Sequence, residues 1–252
     1  DLMTRDVISV RTDTDQEEVA RLVQRYDFLA VPVVDTEERL VGIVTVDDLI
    51  DVIEEETTED IYALGGVQSG GDSYFQTNLV EVARKRVLWL SILLVTNTVT
   101  TAVIRSQQTI LEQVVVLAAF IPLLIGSGGN VGAQSSTVVI RGLNTNEIDP
   151  KQAFTVIRRE ALAGIILGLM LGVVVTIWAY FLQGSLEVAL TVGISLVAIS
   201  VLASTAGGTL PILFQSLGFD PALMSAPFIT TIVDVLGVLL YLTLARYILI
   251  QG

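Results

Sequence analysis

The sequence predicts a multi-pass α-helical membrane protein with five transmembrane helices per subunit and a small N-terminal α/β domain. Hydrophobic residues make up 52% of the 252 residues, charged residues make up 16%, and the mean hydropathy is +0.70. A soluble globular chain carries more charge and less apolar surface. Residues 1–86 contain 20 acidic and 8 basic side chains, whereas residues 87–252 contain 7 and 6. The first part is therefore expected to be soluble and acidic, and the second part lipid-embedded.

The absent residue types exclude several kinds of chemistry. The chain contains no Cys and no His, so it has no thiolate, disulfide or imidazole ligand. A bound metal ion must then be held by oxygen atoms, which favours Mg²⁺, Ca²⁺ or Mn²⁺. No Ser or Lys stands in a recognisable catalytic arrangement, and we expect the protein not to be an enzyme. The N-terminus is polar, and no signal peptide is expected there.

The N-terminal domain is predicted to run strand, helix, strand, strand, helix. A β-branched run at residues 7–10 is the first strand, and residues 29–34 and 40–46 are two more, joined by a polar turn. Thr14 and Glu17 have the spacing of a capping box. The first helix follows them, with apolar residues at helical intervals: Val19, Leu22, Val23 and Tyr26. The second helix begins near Asp47.

The residues between the last strand and the second helix carry a recognisable motif. Residues 42–48 read Gly-Ile-Val-Thr-Val-Asp-Asp and, with the order of elements, resemble a cystathionine-β-synthase (CBS) module at residues 1–53. The resemblance implies that Thr45 and Asp48 hold the ribose of an adenine nucleotide such as ATP. It also implies that this module is the second of a pair and that the first module of the pair is missing. A plain helix cap by Thr45, with Asp48 in the first turn, explains the same residues.

The second helix carries an acidic stripe. Asp48, Asp51, Glu55 and Glu59 are spaced by three or four residues and lie along one face, where like charges repel. Apolar residues at the other face are expected to pack: Leu49, Val52, Ile53, Ile61 and Leu64. The stripe is either a solvated surface or a sensor of divalent cations. Residues 54–75 are expected to form this connecting helix and a flexible joint containing Gly65-Gly66 and Ser69-Gly70-Gly71.

Five apolar segments follow within residues 76–252, the predicted transmembrane domain. They lie at 87–104, 113–140, 161–182, 188–214 and 221–250, and each reaches the roughly 20 residues that cross a bilayer, allowing for tilt. Most flanking basic residues fall on one side of five spans: Arg84, Lys85, Arg86, Arg141, Lys151, Arg158 and Arg159. We therefore expect a plasma (inner) membrane protein with a cytoplasmic N-terminal domain and an outward C-terminus.

The second and fourth spans contain clusters of small and polar residues. Residues 126–134 read Gly-Ser-Gly-Gly-Asn-Val-Gly-Ala-Gln, and residues 204–211 read Ser-Thr-Ala-Gly-Gly-Thr-Leu-Pro. One interpretation is an interruption of both helices beside a water-filled path, where non-helical backbone is tolerated. The other is close packing between helices, which small residues permit.

The fifth span contains a charged residue near its middle. Within the five predicted spans the one basic residue is Arg246, twelve residues after Asp234 and close to the end of the fifth span. Asp234 therefore has no basic neighbour at its own depth, where a charge costs a few kcal/mol unless it meets a cavity or a partner. Thr230 lies one turn earlier on the same face, and Pro227 is expected to loosen the backbone so that carbonyl groups turn inward. We interpret Asp234 as an ion site; a neutral acid hydrogen-bonded within the bundle is the alternative.

Three motifs together resemble the MgtE family of magnesium channels and transporters. They are Gly-Ser-Gly-Gly-Asn-Val-Gly-Ala-Gln-Ser-Ser at 126–136, Gly-Gly-Thr-Leu-Pro at 207–211, and Pro-Phe-Ile-Thr-Thr-Ile-Val-Asp at 227–234. The acidic run at 54–61 resembles that family's plug helix. The resemblance implies a pore ion at Asp234, with a carbonyl near Thr230. It also implies that regulatory Mg²⁺ is bound by acidic residues of the soluble part: Asp15, Glu17, Asp27, Asp48, Asp51, Glu56, Glu59 and Asp60.

The resemblance thus implies a homodimeric channel or transporter for Mg²⁺ in a lipid bilayer, with the pore at the subunit interface and no nucleic-acid partner. Cytoplasmic Mg²⁺ would close it by screening the acidic helix, which then docks at the pore mouth. The family's usual N-terminal helical domain and first CBS module are absent here. Two other functions fit the sequence: a membrane-anchored nucleotide or metal sensor that conducts nothing, and a carrier that exchanges a divalent cation for Na⁺ or H⁺.

Overall fold

The structure is a computed structural model that describes residues 7–67, 78–223 and 226–250. The chain divides into two compact units, residues 1–62 and residues 63–252. The Ser69-Gly70-Gly71 part of the expected joint lies outside the described residues.

The first unit is a small α/β domain with the predicted order of elements. Strand β1 (Val10–Arg11) is followed by helix α1 (Gln16–Tyr26), strands β2 (Ala30–Val34) and β3 (Leu40–Thr45), and helix α2 (Val46–Leu64). Strand β2 lies in the centre of the sheet, parallel to β1 and antiparallel to β3. The core is small and comprises Val10, Val19, Ala20, Val23, Val31 and Leu49.

The start of α1 differs from the predicted capping box. Asp15 is the N-cap, and its carboxylate accepts a hydrogen bond from the amide of Glu17. The Thr14 hydroxyl instead accepts from the amide of Arg11, in the turn before the helix. Asp and Thr are both good N-caps, so the sequence alone does not decide whether Thr14 or Asp15 caps the helix. The turn before the helix occupies the Thr14 hydroxyl and leaves Asp15 as the cap. Glu17 pairs with Arg21 one turn later rather than reaching back.

Helix α2 packs less than predicted. Of its expected apolar face, Leu49 is buried, while Ile53 and Ile61 are 46% and 65% exposed. The helix ends at Leu64, as the glycines that follow it predicted. Gly66 adopts a left-handed conformation, with φ 67°, and a Cβ atom there would lie 2.4 Å from Nε1 of Trp89. The chain therefore requires glycine at this position.

Within its described residues, the second unit contains five helices that are long and apolar enough to span a membrane, as predicted. They are α3 (Leu79–Ser106), α5 (Leu117–Asn144), α6 (Ala153–Gln183), α7 (Leu186–Ser216) and α8 (Ala226–Ile250). A short helix, α4 (Gln108–Gln113), connects the first two. Helix α7 lies at the centre and contacts α5, α6 and α8, whereas α3 packs mainly on α8.

The expected interruptions of the second and fourth spans are wrong. Helix α5 is continuous through residues 126–134, and α7 is continuous through residues 204–211. The glycines instead bring helices into contact: a Cβ atom on Gly207 would lie 2.4 Å from the carbonyl oxygen of Gly132. Close packing of small residues, the second interpretation, explains this part of the sequence.

Candidate functional site

Asp234 lies on α8, two turns after the helix begins. Pro227 occupies the first turn, where a missing amide costs no helical hydrogen bond. The hydroxyl groups of Thr230 and Thr231 both donate to the Pro227 carbonyl, at 2.9 and 2.8 Å. The proline is thus tolerated without a break, and its own carbonyl is occupied by two local donors.

The carboxyl group of Asp234 is half-buried and has no local partner. Among the residues that the structure describes, none forms a hydrogen bond or ion pair with it. The described residues therefore do not contain the hydrogen bond that a neutral, structural acid within the bundle would form. A carboxyl group placed this way in a membrane helix needs water, a cation or another subunit beside it.

Glycines of α5 bring that helix directly against the Asp234 segment of α8. A Cβ atom on Gly129 would lie 3.1 Å from Cγ2 of Thr230, and one on Gly132 would lie 2.9 Å from Cγ2 of Ile229. One on Gly128 would lie 3.1 Å from Cγ1 of Val233. Side chains larger than hydrogen would push the two helices apart at the level of Thr230.

The outer face of the same α5 segment is polar and exposed. Gly126, Asn130 and Gln134 recur at intervals of four residues, and all three are exposed. Residues at this spacing lie in one row along a helix. We call this row the polar stripe of α5. Amide side chains do not belong against lipid, where their hydrogen-bonding groups stay unsatisfied, so the stripe requires a polar neighbour.

A polar cluster that no sequence pattern indicates joins α5, α6 and α7. Oε2 of Glu160 accepts hydrogen bonds from the hydroxyl groups of Ser135 and Ser204, at 2.5 and 3.0 Å. The Ser204 hydroxyl also lies 2.9 Å from the Glu160 carbonyl oxygen, and the Ser135 hydroxyl 2.9 Å from that of Ser204. Both serines are buried, and Glu160 is half-buried.

The acidic residues assigned to regulatory Mg²⁺ on α1 have local roles in the structure. Asp15 caps the helix, and Glu17 pairs with Arg21. Asp27 ends the helix in a left-handed conformation, with φ 53°, and its amide donates to the Val23 carbonyl. A hydrogen bond of 3.0 Å from Gln16 Nε2 to Glu56 brings the start of α1 beside α2.

On α2, the acidic stripe of Asp48, Asp51, Glu55 and Glu59 is exposed. Glu56 and Asp60 are half-buried, and both have partners. Across residues 7–67, 78–223 and 226–250, no three acidic side chains converge in an arrangement that holds a metal ion. The regulatory ligand set therefore stays a prediction.

Thr45 and Asp48, the predicted nucleotide contacts, touch each other. The Thr45 hydroxyl donates to Oδ2 of Asp48 at 2.7 Å. The same hydroxyl is also the main cause of a pKa below the ordinary value at the exposed carboxyl group of Asp47. The Thr45 hydroxyl therefore orders the Asp48 carboxylate in the first turn of α2, which is compatible with a helix-start role and leaves nucleotide binding a prediction.

Each of the two units matches a known protein family or domain. Residues 121–244 match the MgtE family, a divalent cation transporter family, and residues 1–55 match the CBS domain. The chain is 45% identical over 249 residues to the magnesium transporter MgtE of Thermus thermophilus, which covers 99% of this chain and 55% of that protein.

Two further relatives have the same name. The magnesium transporter MgtE of Bacillus subtilis is 41% identical over 245 residues, covering 97% of this chain and 54% of that protein. The magnesium transporter MgtE of Enterococcus faecalis is 38% identical over 245 residues, covering 97% and 53%. The chain spans about half the length of the curated relatives it matches.

Proposed function

This chain belongs to the MgtE family of divalent cation transporters, and we propose that it conducts Mg²⁺ through a membrane along a path lined by Asp234. The observation that carries the proposal is the half-buried carboxyl group of Asp234, which has no partner among the described residues. An ionisable group within a membrane helix is a candidate ion site by default. The named activity of the relatives, magnesium transport, supports the choice of ion.

The chemistry of Mg²⁺ suits a site with few direct ligands. This ion releases its water molecules reluctantly and prefers six oxygen ligands in octahedral geometry. A single carboxylate per subunit, with the amides of the polar stripe nearby, can hold the hydrated ion without removing all of its waters. Weak, water-mediated contacts also allow fast exit, which conduction requires.

The polar stripe of α5 supports a path at the interface of two copies of the chain. Asn130 and Gln134 are exposed in one chain, and the lipid tails of a bilayer provide no hydrogen bonds for them. In a homodimer around a two-fold axis, two Asp234 carboxylates and two polar stripes would face one another. Paired carboxylates attract a divalent cation more strongly than a monovalent one.

The acidic stripe of α2 supports feedback by cytoplasmic Mg²⁺. Asp51, Glu55 and Glu59 are exposed without a neutralising base on the helix, so divalent ions would relieve their repulsion. We infer that screened carboxylates allow α2 to dock and close the path, and that their repulsion opens it. Asp15, Glu17, Asp27, Asp48, Glu56 and Asp60 are the further candidates for regulatory Mg²⁺, and Thr45 with Asp48 is the candidate for ATP.

The direction of the chain in the membrane follows from its basic residues. Arg84, Lys85 and Arg86 lie in the first turns of α3, and Arg141 lies in the last turn of α5. With five spans these residues share a side, which the excess of basic residues makes cytoplasmic. The N-terminal domain then lies in the cytoplasm and the C-terminus outside, in the plasma (inner) membrane.

The direct test is flux through purified protein in liposomes. Mg²⁺ entering vesicles that contain the protein, well above the leak of empty vesicles, supports the proposal. Vesicles that hold folded protein and admit no Mg²⁺ would instead indicate a sensor that conducts nothing. Flux that stops without a Na⁺ or pH gradient would indicate an exchanging carrier in place of a channel.

A further inference from the structure

We propose that Glu160 is a positioning residue for the ion path, which it sets by fixing the place of α5 between α7 and α8. This inference rests on the proposed function. Glu160 does not lie on the polar stripe or beside Asp234, and it acts through the Ser135 region of α5.

The side chain of Glu160 is the bridge between three helices. It projects from α6, and Oε2 accepts from Ser135 of α5 and from Ser204 of α7. Among the described residues Glu160 forms no ion pair, although Arg158 and Arg159 precede it in sequence. One oxygen atom of α6 thus links a hydroxyl group of α5 and a hydroxyl group of α7.

Two adjacent glycines of α7 make the contact unusually close on both sides. Gly207 faces α5, where a Cβ atom would lie 2.4 Å from the Gly132 carbonyl oxygen and 3.0 Å from Cβ of Ser135. Gly208 faces α6, where a Cβ atom would lie 2.7 Å from Cγ of Glu160. Backbone is thus in contact with backbone between α5 and α7, and the Glu160 side chain lies over α7 at the same level.

The same stretch of α5 reaches α8 one to two turns away. Gly132 contacts Ile229 and Val233, and Gly129 contacts Thr230, next to Asp234. Ser135 is six residues from Gly129, or about 9 Å along a straight helix. A small movement of α5 at Ser135 is therefore carried along a rigid helix to the polar stripe and to the wall beside Asp234.

The main role of the Glu160 bridge is to hold the helices in place, because the buried serine hydroxyl groups have other hydrogen-bond acceptors. Without the Glu160 carboxylate, the Ser135 hydroxyl still has the Ser204 carbonyl at 2.9 Å, and the Ser204 hydroxyl still has the Glu160 main-chain carbonyl at 2.9 Å. Removal of the carboxylate leaves both buried hydroxyls with acceptors. What is lost is the link that joins α5, α6 and α7 through one group.

The test compares Glu160→Ala with Glu160→Gln in the liposome assay, because the amide oxygen of Gln still accepts from both serines. In Glu160→Ala we expect the half-saturating Mg²⁺ concentration to rise about five- to tenfold, the scale of one lost net hydrogen bond. Glu160→Gln is expected to stay within about twofold of wild type on the same scale. Lower yield of folded protein changes only the maximal flux, so half-saturation separates positioning from stability.

Serine variants test the same bridge from the other side. Ser135→Ala should raise the half-saturating Mg²⁺ concentration in the wild-type background and have a smaller further effect in Glu160→Ala, where only its hydrogen bond to the Ser204 carbonyl is left to lose. The matched control is Thr209→Ala, one residue after Gly208. The Thr209 hydroxyl bonds only within its own helix, to the Thr205 carbonyl. If Glu160→Ala fails to fold, Ser135→Ala and Glu160→Gln still provide the comparison.

A structural readout does not depend on transport. The chain has no cysteine, so spin labels can be placed at Val138→Cys on α5 and Leu213→Cys on α7, both exposed. We expect a broader distance distribution in Glu160→Ala and an unchanged one in Glu160→Gln.

Two results would overturn the role of Glu160 and leave the proposed function intact. One is a Glu160→Ala variant whose half-saturating Mg²⁺ concentration and spin-label distance distribution equal those of wild type. The other is a Glu160→Gln variant as impaired as Glu160→Ala, which would assign the effect to charge instead of the bridge. Absence of Mg²⁺ flux in wild type would refute the proposed function itself, and the spin-label distances would still decide whether Glu160 positions α5.

Discussion

Gly129 of α5 lies against Thr230 of α8, so closely that a Cβ atom on the glycine would come within 3.1 Å of Cγ2 of the threonine. This contact places α5 beside the α8 turn that precedes Asp234. It also turns the next residue of α5, Asn130, to the outer face of the chain, where it is exposed. The glycine-rich part of the second span thus has two roles, close packing on one face and a polar stripe on the other.

The first prediction concerns packing at Gly207. Gly207→Ala places a methyl group 2.4 Å from the Gly132 carbonyl oxygen, and neither backbone can yield without moving a helix. We expect a loss of about 1–3 kcal/mol in stability, the usual cost of overpacking. Thermal unfolding in detergent measures it. Gly126→Ala is the control, because nothing lies within 4 Å of its added Cβ; an equal loss in both variants would refute the packing role.

The second prediction concerns the polar stripe. Gln134→Leu and Asn130→Leu should leave the fold unchanged, because both side chains are exposed and form no hydrogen bond with any residue that the structure describes. Mg²⁺ flux should fall about tenfold or more, since an apolar wall cannot replace the water that Mg²⁺ releases reluctantly. Flux in liposomes measures the effect. Asn97→Leu, an exposed amide on α3 outside the stripe, should conduct normally. Normal flux in both stripe variants would show that the stripe does not line the path.

The third prediction concerns feedback by Mg²⁺. The triple variant Asp51→Asn, Glu55→Gln, Glu59→Gln removes the repulsion along α2, which costs a few tenths of a kcal/mol per pair. We expect inhibition of flux by Mg²⁺ on the cytoplasmic side to weaken about two- to fivefold, the scale of two such pairs, because ions no longer change the charge of the helix.

The matched control for feedback removes the same charge elsewhere in the N-terminal unit. Asp13→Asn, Glu18→Gln, Glu37→Gln takes three acids from outside α2, and its inhibition should equal that of wild type. If the α2 variant and this control respond alike, net charge and not the acidic stripe sets the response.

The fourth prediction concerns the nucleotide. Thr45→Val keeps the shape of the side chain and removes the hydroxyl that donates to Asp48. If Thr45 and Asp48 hold a ribose, calorimetry with ATP should detect binding to wild type and at least about tenfold weaker binding to the variant, the scale of one to two hydrogen bonds. Equal affinities, or no binding to wild type, would leave Thr45 only the role of ordering the start of α2.

The sequence was sufficient for features that depend on local pattern. Five apolar segments predicted the five helices, and alternation with turn residues predicted the order of the N-terminal unit. Asp234 could be singled out because an acid in an apolar segment is costly wherever the helix packs, and its role as an ion site stays a prediction. These signals depend on neighbours along the chain.

What the sequence did not settle depends on which helices meet. Residues 126–134 suggested an interruption because glycine weakens an isolated helix, yet Gly132 against Gly207 compensates by close packing. Glu160 follows two arginines at the start of a span, where nothing in the local sequence distinguishes it from a solvated residue. Its serine partners lie 25 and 44 residues away in sequence, and no local pattern indicates them.

The most direct measurement is Mg²⁺ flux into liposomes through Asp234→Asn, compared with wild type at equal amounts of folded protein. Asparagine has nearly the same shape and lacks the negative charge, so we expect flux at the level of empty vesicles. Asp234→Asn that conducts Mg²⁺ at the wild-type rate would contradict the assignment of this carboxyl group to the ion path.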